Sequence, residues 1–352
     1  MDRAETATVV VDYSLTTTTT GGEDDPTVLD VQGAIIPGSV FGKYRVLRSL
    51  ADGGMGMVFL GEDLTLGRMV ALKFLHQRLL GDTSAVPRFF AEAVAAARVS
   101  HPGVVSVFDC GSVEGGAYLV MEYLTGESLS SRIKRSGRLP IARVLDLGTQ
   151  LALTLAATHE AGVIHRDLKP GNIHLVPDPA GSDHEFVKVL DFGVAKLLTS
   201  SGPPLTQRGD LLGTPYYMAP EQSFDPSTVD HRCDIYSLGC LLYQLVTGTV
   251  PFRGSILEIL IGHKRVQAAS TRSFDPAIPP ALDELILRMM AKSPDERPAS
   301  MVDVVNILAS IQVQEPARPP APLTIGEGMT VVGILVGLGL LLVGIRYLAG
   351  LL

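Results

Sequence analysis

Apolar and polar positions divide the chain into stretches of different character. Residues 1–40 hold little periodic apolar pattern and carry a threonine run at 16–20, followed by GGEDDP. Such a stretch buries too little to offset its chain entropy and is expected to be a disordered arm. From residue 44 to 311 the pattern is dense. Short β-type runs separated by glycines lie at 44–50, 57–63 and 69–75. Alanine-rich helical spacing covers 88–99, and two further strand patterns follow at 104–108 and 117–123. After Gly126 the character turns helical, at 145–159, 234–247, 256–264, 282–291 and 301–311. A strand-rich part followed by a helix-rich part predicts an α+β fold in two lobes, 44–124 and 125–311. Within the second lobe, the polar stretch 177–185 (PDPAGSDHE) reads as a solvent loop of a hairpin.

Residues 312–328 form a linker around EPARPPAP, stiff and extended. The run 329–345, MTVVGILVGLGLLLVGI, carries no charge. As a helix it would span roughly 25 Å. The residues to 350 extend it past the roughly 30 Å of a bilayer's hydrocarbon core. Arg346 interrupts the run, and its long stem is able to snorkel to an interface. The run lies beyond a proline linker, apart from the dense region, so a transmembrane anchor over 329–350 is expected.

Composition changes this picture little. The chain has 352 residues, 46% hydrophobic and 19% charged, enough for a substantial core. A net charge of −8 weighs against a nucleic-acid partner. Three cysteines, Cys110, Cys233 and Cys240, make no CxxC pair. That argues against a disulfide scaffold or zinc site and fits a reducing compartment. No apolar run near the N-terminus marks a secretory leader.

The chemistry concentrates in HRDLKPGN, residues 165–172, where one candidate base, two cations and an amide oxygen share one loop. The plain reading is a polar loop; the other is phosphoryl transfer, which needs partners at set places. Gly53, Gly54 and Gly56 lie between two strand patterns, where backbone amides could approach phosphates, although a hairpin turn would look the same. Val58 would pack on an adenine face. Lys73 is a lone cation on the apolar strand VALK, and Glu92 on the helix RFFAEAVAAA is its obvious partner if it points inward. Asp167 would receive the acceptor's proton and Lys169 would neutralise the moving group. Asn172 would bind Mg²⁺ through its amide oxygen, with Mn²⁺ as an alternative. Asp191 would bridge metal and phosphates, Phe192 would plug the core, and Gly193 would permit a sharp reversal.

These motifs, in this order, resemble the protein kinase superfamily. The phrases GGMGMVFL, HRDLKP, DFGVAK and GTPYYMAPEQ are most similar to bacterial, eukaryotic-like (Hanks-type) serine/threonine kinases. The resemblance covers about 44–311 and implies a bilobal kinase fold with a β-rich N-lobe and an α-rich C-lobe. It also implies ATP as donor and protein serine or threonine as acceptor. It places Leu50, Ala71, Met121 as gatekeeper, and backbone groups of Glu122 and Leu124 around the adenine. Leu175 would lie beneath the base and Glu127 near the ribose. It pairs Arg297 with Glu221 of the APE element, gives Asp234 a structural role, and sets Thr214 against Asp167 and Lys169. Ala51 replaces the family's first loop glycine and is expected to lower ATP affinity at most.

Regulation is implied in the same way. Arg166 is expected to meet a phosphothreonine, with Thr206 the best candidate among Thr199, Ser200, Ser201 and Thr206, and Lys196 a second ligand. Arg208, where related kinases often carry a threonine, would lessen the need for phosphate. Gly333 and Gly337 form GxxxG in the apolar run, which would permit pairing of two copies and phosphorylation in trans. The expectation is a kinase held in a bacterial inner membrane by its C-terminal helix, with the catalytic domain in the cytoplasm. Two rivals remain at this stage: a silent kinase fold acting as a scaffold, and a small-molecule phosphotransferase.

Overall fold

The computed structural model describes residues 37–79, 81–113, 116–192 and 215–312. The arm before residue 37, residues 313–328 of the proline linker and the apolar run 329–345 lie outside the described residues. Among the described residues, no helix is long and apolar enough to cross a membrane.

The first lobe is a six-stranded antiparallel sheet in the order β1-β2-β3-β4-β6-β5. Its strands are β1 (Val40–Phe41), β2 (Tyr44–Asp52), β3 (Gly56–Asp63), β4 (Arg68–Leu75), β5 (Val107–Val113) and β6 (Gly116–Glu122). Helix α1 (Ala85–Ala97) packs on β5 and β6. Alternation along β4 decides what each face does. Val70, Leu72 and Phe74 enter an aromatic cluster with Phe41, Tyr44, Phe59 and Val120. Ala71 and Leu75 enter a second cluster with Phe89, Ala93, Leu119 and Met121. Lys73 lies in register between those two and so shares their face, toward α1.

The core starts three residues earlier than the sequence pattern showed, because Phe41 is buried against Tyr44, Phe74 and Tyr118. Strand β5 lies later than the expected 104–108. Val104 makes only an isolated bridge to Val189, and the ladder runs through Asp109, Cys110 and Ser112. An edge strand can be polar, and apolarity alone therefore misplaced it.

The second lobe is built around α5 (Arg232–Thr247), in which every residue except Arg232 and Gln244 is buried. A helix apolar nearly all round belongs at the centre of a domain. Around it lie α2 (Leu129–Ser136), α3 (Ile141–Glu160), α4 (Pro220–Phe224), α6 (Ile256–Arg265), α7 (Pro280–Met289) and α8 (Met301–Ser310). Gly239 is required by close approach, since a Cβ there would sit 2.8 Å from Met289 Cβ on α7. A small sheet of β7 (Glu127–Ser128), β8 (Ile173–Pro177) and β9 (Glu185–Val189), in that order, carries the loops of interest. Residues 179–184 are exposed, as expected of a solvent loop, but Glu185 is not free. It accepts from Arg132 Nη2 at 2.7 Å and also bonds Arg143.

Candidate active site

Lys73 Nζ lies 2.7 Å from Asp191 Oδ1 and 3.7 Å from Glu92 Oε2, with Lys73 and Glu92 both buried. The sequence thus pointed to the right partner, although Asp191 holds the shorter contact. Burial disfavours the Lys73 ammonium, but the charges of Asp191 and Glu92 outweigh it and raise its pKa. At Glu92 burial prevails over the more distant Lys73 and lifts the carboxyl to about 7. Asp191 adopts φ 42, a backbone region that non-glycine residues seldom occupy, and Arg166 adopts φ 60. Such conformations persist only where the surroundings fix them, and they gather at functional sites.

The surroundings that fix residues 165–172 converge on Asp234, at the start of α5. Its carboxylate accepts from His165 N and Arg166 N, both at 2.8 Å, and lies 2.8 Å from His159 Nε2. Burial alone would raise this carboxyl; His159 and the backbone donors hold it below the usual range. His165 Nδ1 accepts from Asp167 N at 3.2 Å, so its proton sits on Nε2, which donates to Leu190 O at 3.0 Å. Leu190 N in turn donates to Asn172 O at 2.8 Å. The 165–172 loop and the 190–192 segment are therefore one bonded unit. Phe192 is fully buried beside the His165 ring and the side chains of Ala96, Val99 and Val163.

Within that unit Lys169 Nζ donates to Asp167 Oδ2 at 2.6 Å. Asn172 Nδ2 donates to Asp167 O at 2.9 Å and to Asp167 Oδ2 at 3.2 Å. The amide nitrogen is thereby committed to Asp167, and the opposite edge of the amide presents its oxygen. Among the described residues, no group of three or more His, Cys, Asp or Glu is gathered as a metal site.

The residues expected around a base fall mostly into one apolar group. Ala71 and Met121 are buried in the same cluster, with Val58 and Leu124 packed against it. Leu50, at the end of the same hairpin, is exposed. Glu122 lies on β6 opposite Val70; its N–H donates to Ser106 O, and its carboxylate accepts from Lys188 Nζ at 2.8 Å. Glu127, expected near a ribose, is held by Arg132 and Arg135, each at 2.7 Å. Leu175 is fully buried by the alternation of β8. The residue of β8 that keeps exposed atoms beside Thr125 is His174, whose Nε2 lies 3.1 Å from Thr125 O. In the glycine-rich turn, a Cβ at Gly56 would meet Phe74 O at 2.0 Å, so the fold itself demands that glycine. Gly53 has room for one, its nearest neighbour being 3.5 Å away.

Arg297 and Glu221 form a buried two-pronged pair at 2.7 and 2.9 Å. The other donors of Arg297 reach Ala291 O, Arg232 O and Lys292 O, so all five N–H groups are used. Next to it Gln222, which the sequence reading missed, donates to Arg166 O at 2.8 Å and accepts from Ala219 N at 3.0 Å. No spacing rule marks it, because its partner is a backbone carbonyl more than fifty positions away. Gly193, Lys196, Thr206 and Thr214 lie outside the described residues.

The protein kinase domain family matches residues 44–308. Serine/threonine-protein kinase pkn3 of Myxococcus xanthus is 44% identical over 264 residues, 73% of this chain and 48% of that protein. PknE of Mycobacterium tuberculosis is 38% identical over 260 residues, 74% of this chain and 44% of that one. The chain spans less than half the length of these curated relatives. The crystal structure of the M. tuberculosis PknI kinase domain superposes with a TM-score of 0.61 at 28% identity, covering 78% of this chain and 99% of that one. With three-quarters of its length matched and the ordered motifs folded into one bonded centre, the chain belongs to the protein kinase family.

Proposed function

We propose that the chain is a serine/threonine protein kinase that transfers the γ-phosphoryl group of ATP to protein hydroxyls. The observation that carries this reading is Lys73, buried between Asp191 and Glu92, which come from segments far apart in the sequence. A buried ammonium costs several kcal/mol unless paired. Glu92 holds the ammonium in place, and Asp191, next to the 165–172 loop, would meet a polyanion only with a divalent cation to offset its charge.

Val58, Ala71, Met121 and Leu124 would hold the adenine, and His174 rather than Leu175 offers the surface beneath it. Leu50, Gly53, Gly54 and Gly56 would cover the phosphates. Asp191 and the Asn172 oxygen suit Mg²⁺, a hard cation that takes few protein carboxylates and completes its shell with phosphates and water. The metal would supply charge neutralisation at the phosphates. Lys73 would hold the non-transferred phosphates in line. Asp167, with its carboxylate steered by Lys169 and Asn172, would orient the acceptor hydroxyl and receive its proton. Lys169, already 2.6 Å from that carboxylate, would neutralise charge on the moving group. Full-length protein in lipid, given Mg-ATP and a generic protein substrate, should yield phosphoserine and phosphothreonine. Acid-stable label found only on small molecules would contradict the reading.

Switching by phosphorylation of Thr206 is part of the proposal. Arg166 supports it: its backbone is fixed by Asp234 and Gln222, and its Nε is buried without a partner among the described residues. An arriving phosphate would satisfy it. The uncharged run 329–345 supports anchorage in a bacterial inner membrane with the kinase domain in the cytoplasm, and its GxxxG supports pairing. Deleting 329–352 should release the protein from membranes in a flotation assay; co-flotation of the deleted form would contradict the anchor.

A further inference from the structure

The turn that would cover the phosphates is bonded along one edge by the segment after β4, and the reaction scheme above does not use those bonds. His76 N donates to Met55 O at 3.0 Å. His76 Nε2 lies 2.9 Å from Gly53 O and 3.0 Å from Asp52 Oδ1. Arg78 Nη2 donates to Gly54 O at 3.1 Å. Two acceptors converge on His76 Nε2, so that nitrogen carries the proton. The carbonyls of three consecutive residues, Gly53, Gly54 and Met55, are thus drawn toward one short segment.

In a planar trans peptide the C=O and the N–H of the next residue point in opposite directions. No cis peptide occurs among the described residues. The N–H groups of Gly54, Met55 and Gly56 are therefore turned away from His76 and Arg78. Successive amides presented to the same side form an anion-binding concavity. The same histidine ties back Asp52, whose exposed carboxylate would otherwise repel a phosphate from this turn.

We propose that His76 and Arg78 are positioning residues that hold the 54–56 amides outward for the phosphates of ATP and restrain Asp52. This role depends on the kinase reading of the site. Affinity for adenosine, which has no phosphates, provides the internal control. The full-length protein in lipid and its His76→Ala/Arg78→Ala form would be titrated with Mg-ATP and with adenosine. Losing two or three such hydrogen bonds should weaken ATP roughly ten-fold, leave adenosine within about two-fold, and raise KM for ATP with kcat largely kept. His76→Gln, which retains a donor at about the same reach, should recover part of the loss. Should the double variant fail to fold, Arg78→Ala alone, at an exposed position, should still weaken ATP selectively by roughly three-fold. Equal weakening of ATP and adenosine, or no weakening of either, would overturn the proposal. A parent protein that binds adenosine but not Mg-ATP would remove the kinase reading itself, before any variant is compared.

Discussion

At the residue scale, the site is governed by how few charges share a buried space. Lys73 faces two acids at unequal distances, Asp191 the nearer, and burial raises the Glu92 carboxyl to about 7 against the opposing pull of Lys73. A folded-state pKa above the unfolded value means that stability is fully present below the ordinary glutamate range. It is lost as pH rises toward 7. Between pH 5 and 8 the parent should therefore lose on the order of 1–3 kcal/mol relative to Glu92→Gln. Parallel urea titrations at several pH values would check this, and a constant difference would contradict it. The Lys73–Glu92 pair was legible because a charge on an apolar face demands a counter-charge. The position of Leu175 was not, because which face of a short strand turns inward depends on its neighbours. The sequence step from Leu175 to His174 reverses the face.

At the element scale, the long helices and the strands other than β5 followed their periodicity, while the polar edge strand and short polar elements did not announce themselves. Helix α2 reads LSSRIKRS and buries only Leu129; its start is set by Ser128, whose side chain accepts from Ser131 N. Its two arginines, Arg132 and Arg135, join an ionic group that no motif signals. Arg132 bridges Glu127 and Glu185, and Arg143 on α3 bridges Glu185 and Asp146. This group fastens β9, and with it the segment leading to Asp191, to the helices beneath. Hydrogen bonds from Arg132 hold the Glu185 carboxyl below its usual range, although burial opposes them. Glu185→Ala should lower stability by about 1–2 kcal/mol, a value reduced for partial exposure. It should also increase amide exchange in β9 more than in β3. Uniform exchange across both sheets would contradict a local fastening.

At the scale of the whole molecule, the helical lobe acts as a frame that reaches the chemistry through backbone bonds. Asp234 holds the 165–166 backbone, Gln222 holds Arg166 from the other side, and Glu221 is anchored by Arg297 near the C-terminal end of the lobe. Because all five Arg297 donors are used in a buried place, Arg297→Ala leaves Glu221 charged and unpaired. The expected cost is about 3–5 kcal/mol, read as a large drop in the unfolding midpoint. A change below about 1 kcal/mol would contradict the frame. This long-range pair was legible only through the family's motifs, since composition and periodicity carry no signal across 76 positions. The order of strands in the first lobe was not legible, because strand pairing between distant segments leaves no mark on periodicity.

The central claim is that Asp167, Lys169, Asn172, Asp191, Lys73 and Glu92 form one phosphoryl-transfer centre. The most direct measurement compares full-length parent and Asp167→Asn for Mg-ATP affinity and for the rate of phosphate transfer to protein. Asparagine keeps the shape and the hydrogen-bond reach but is a far poorer proton acceptor. The account predicts ATP affinity within a few-fold and a transfer rate reduced by roughly 10²–10⁴. Equal transfer rates in the two proteins would contradict it.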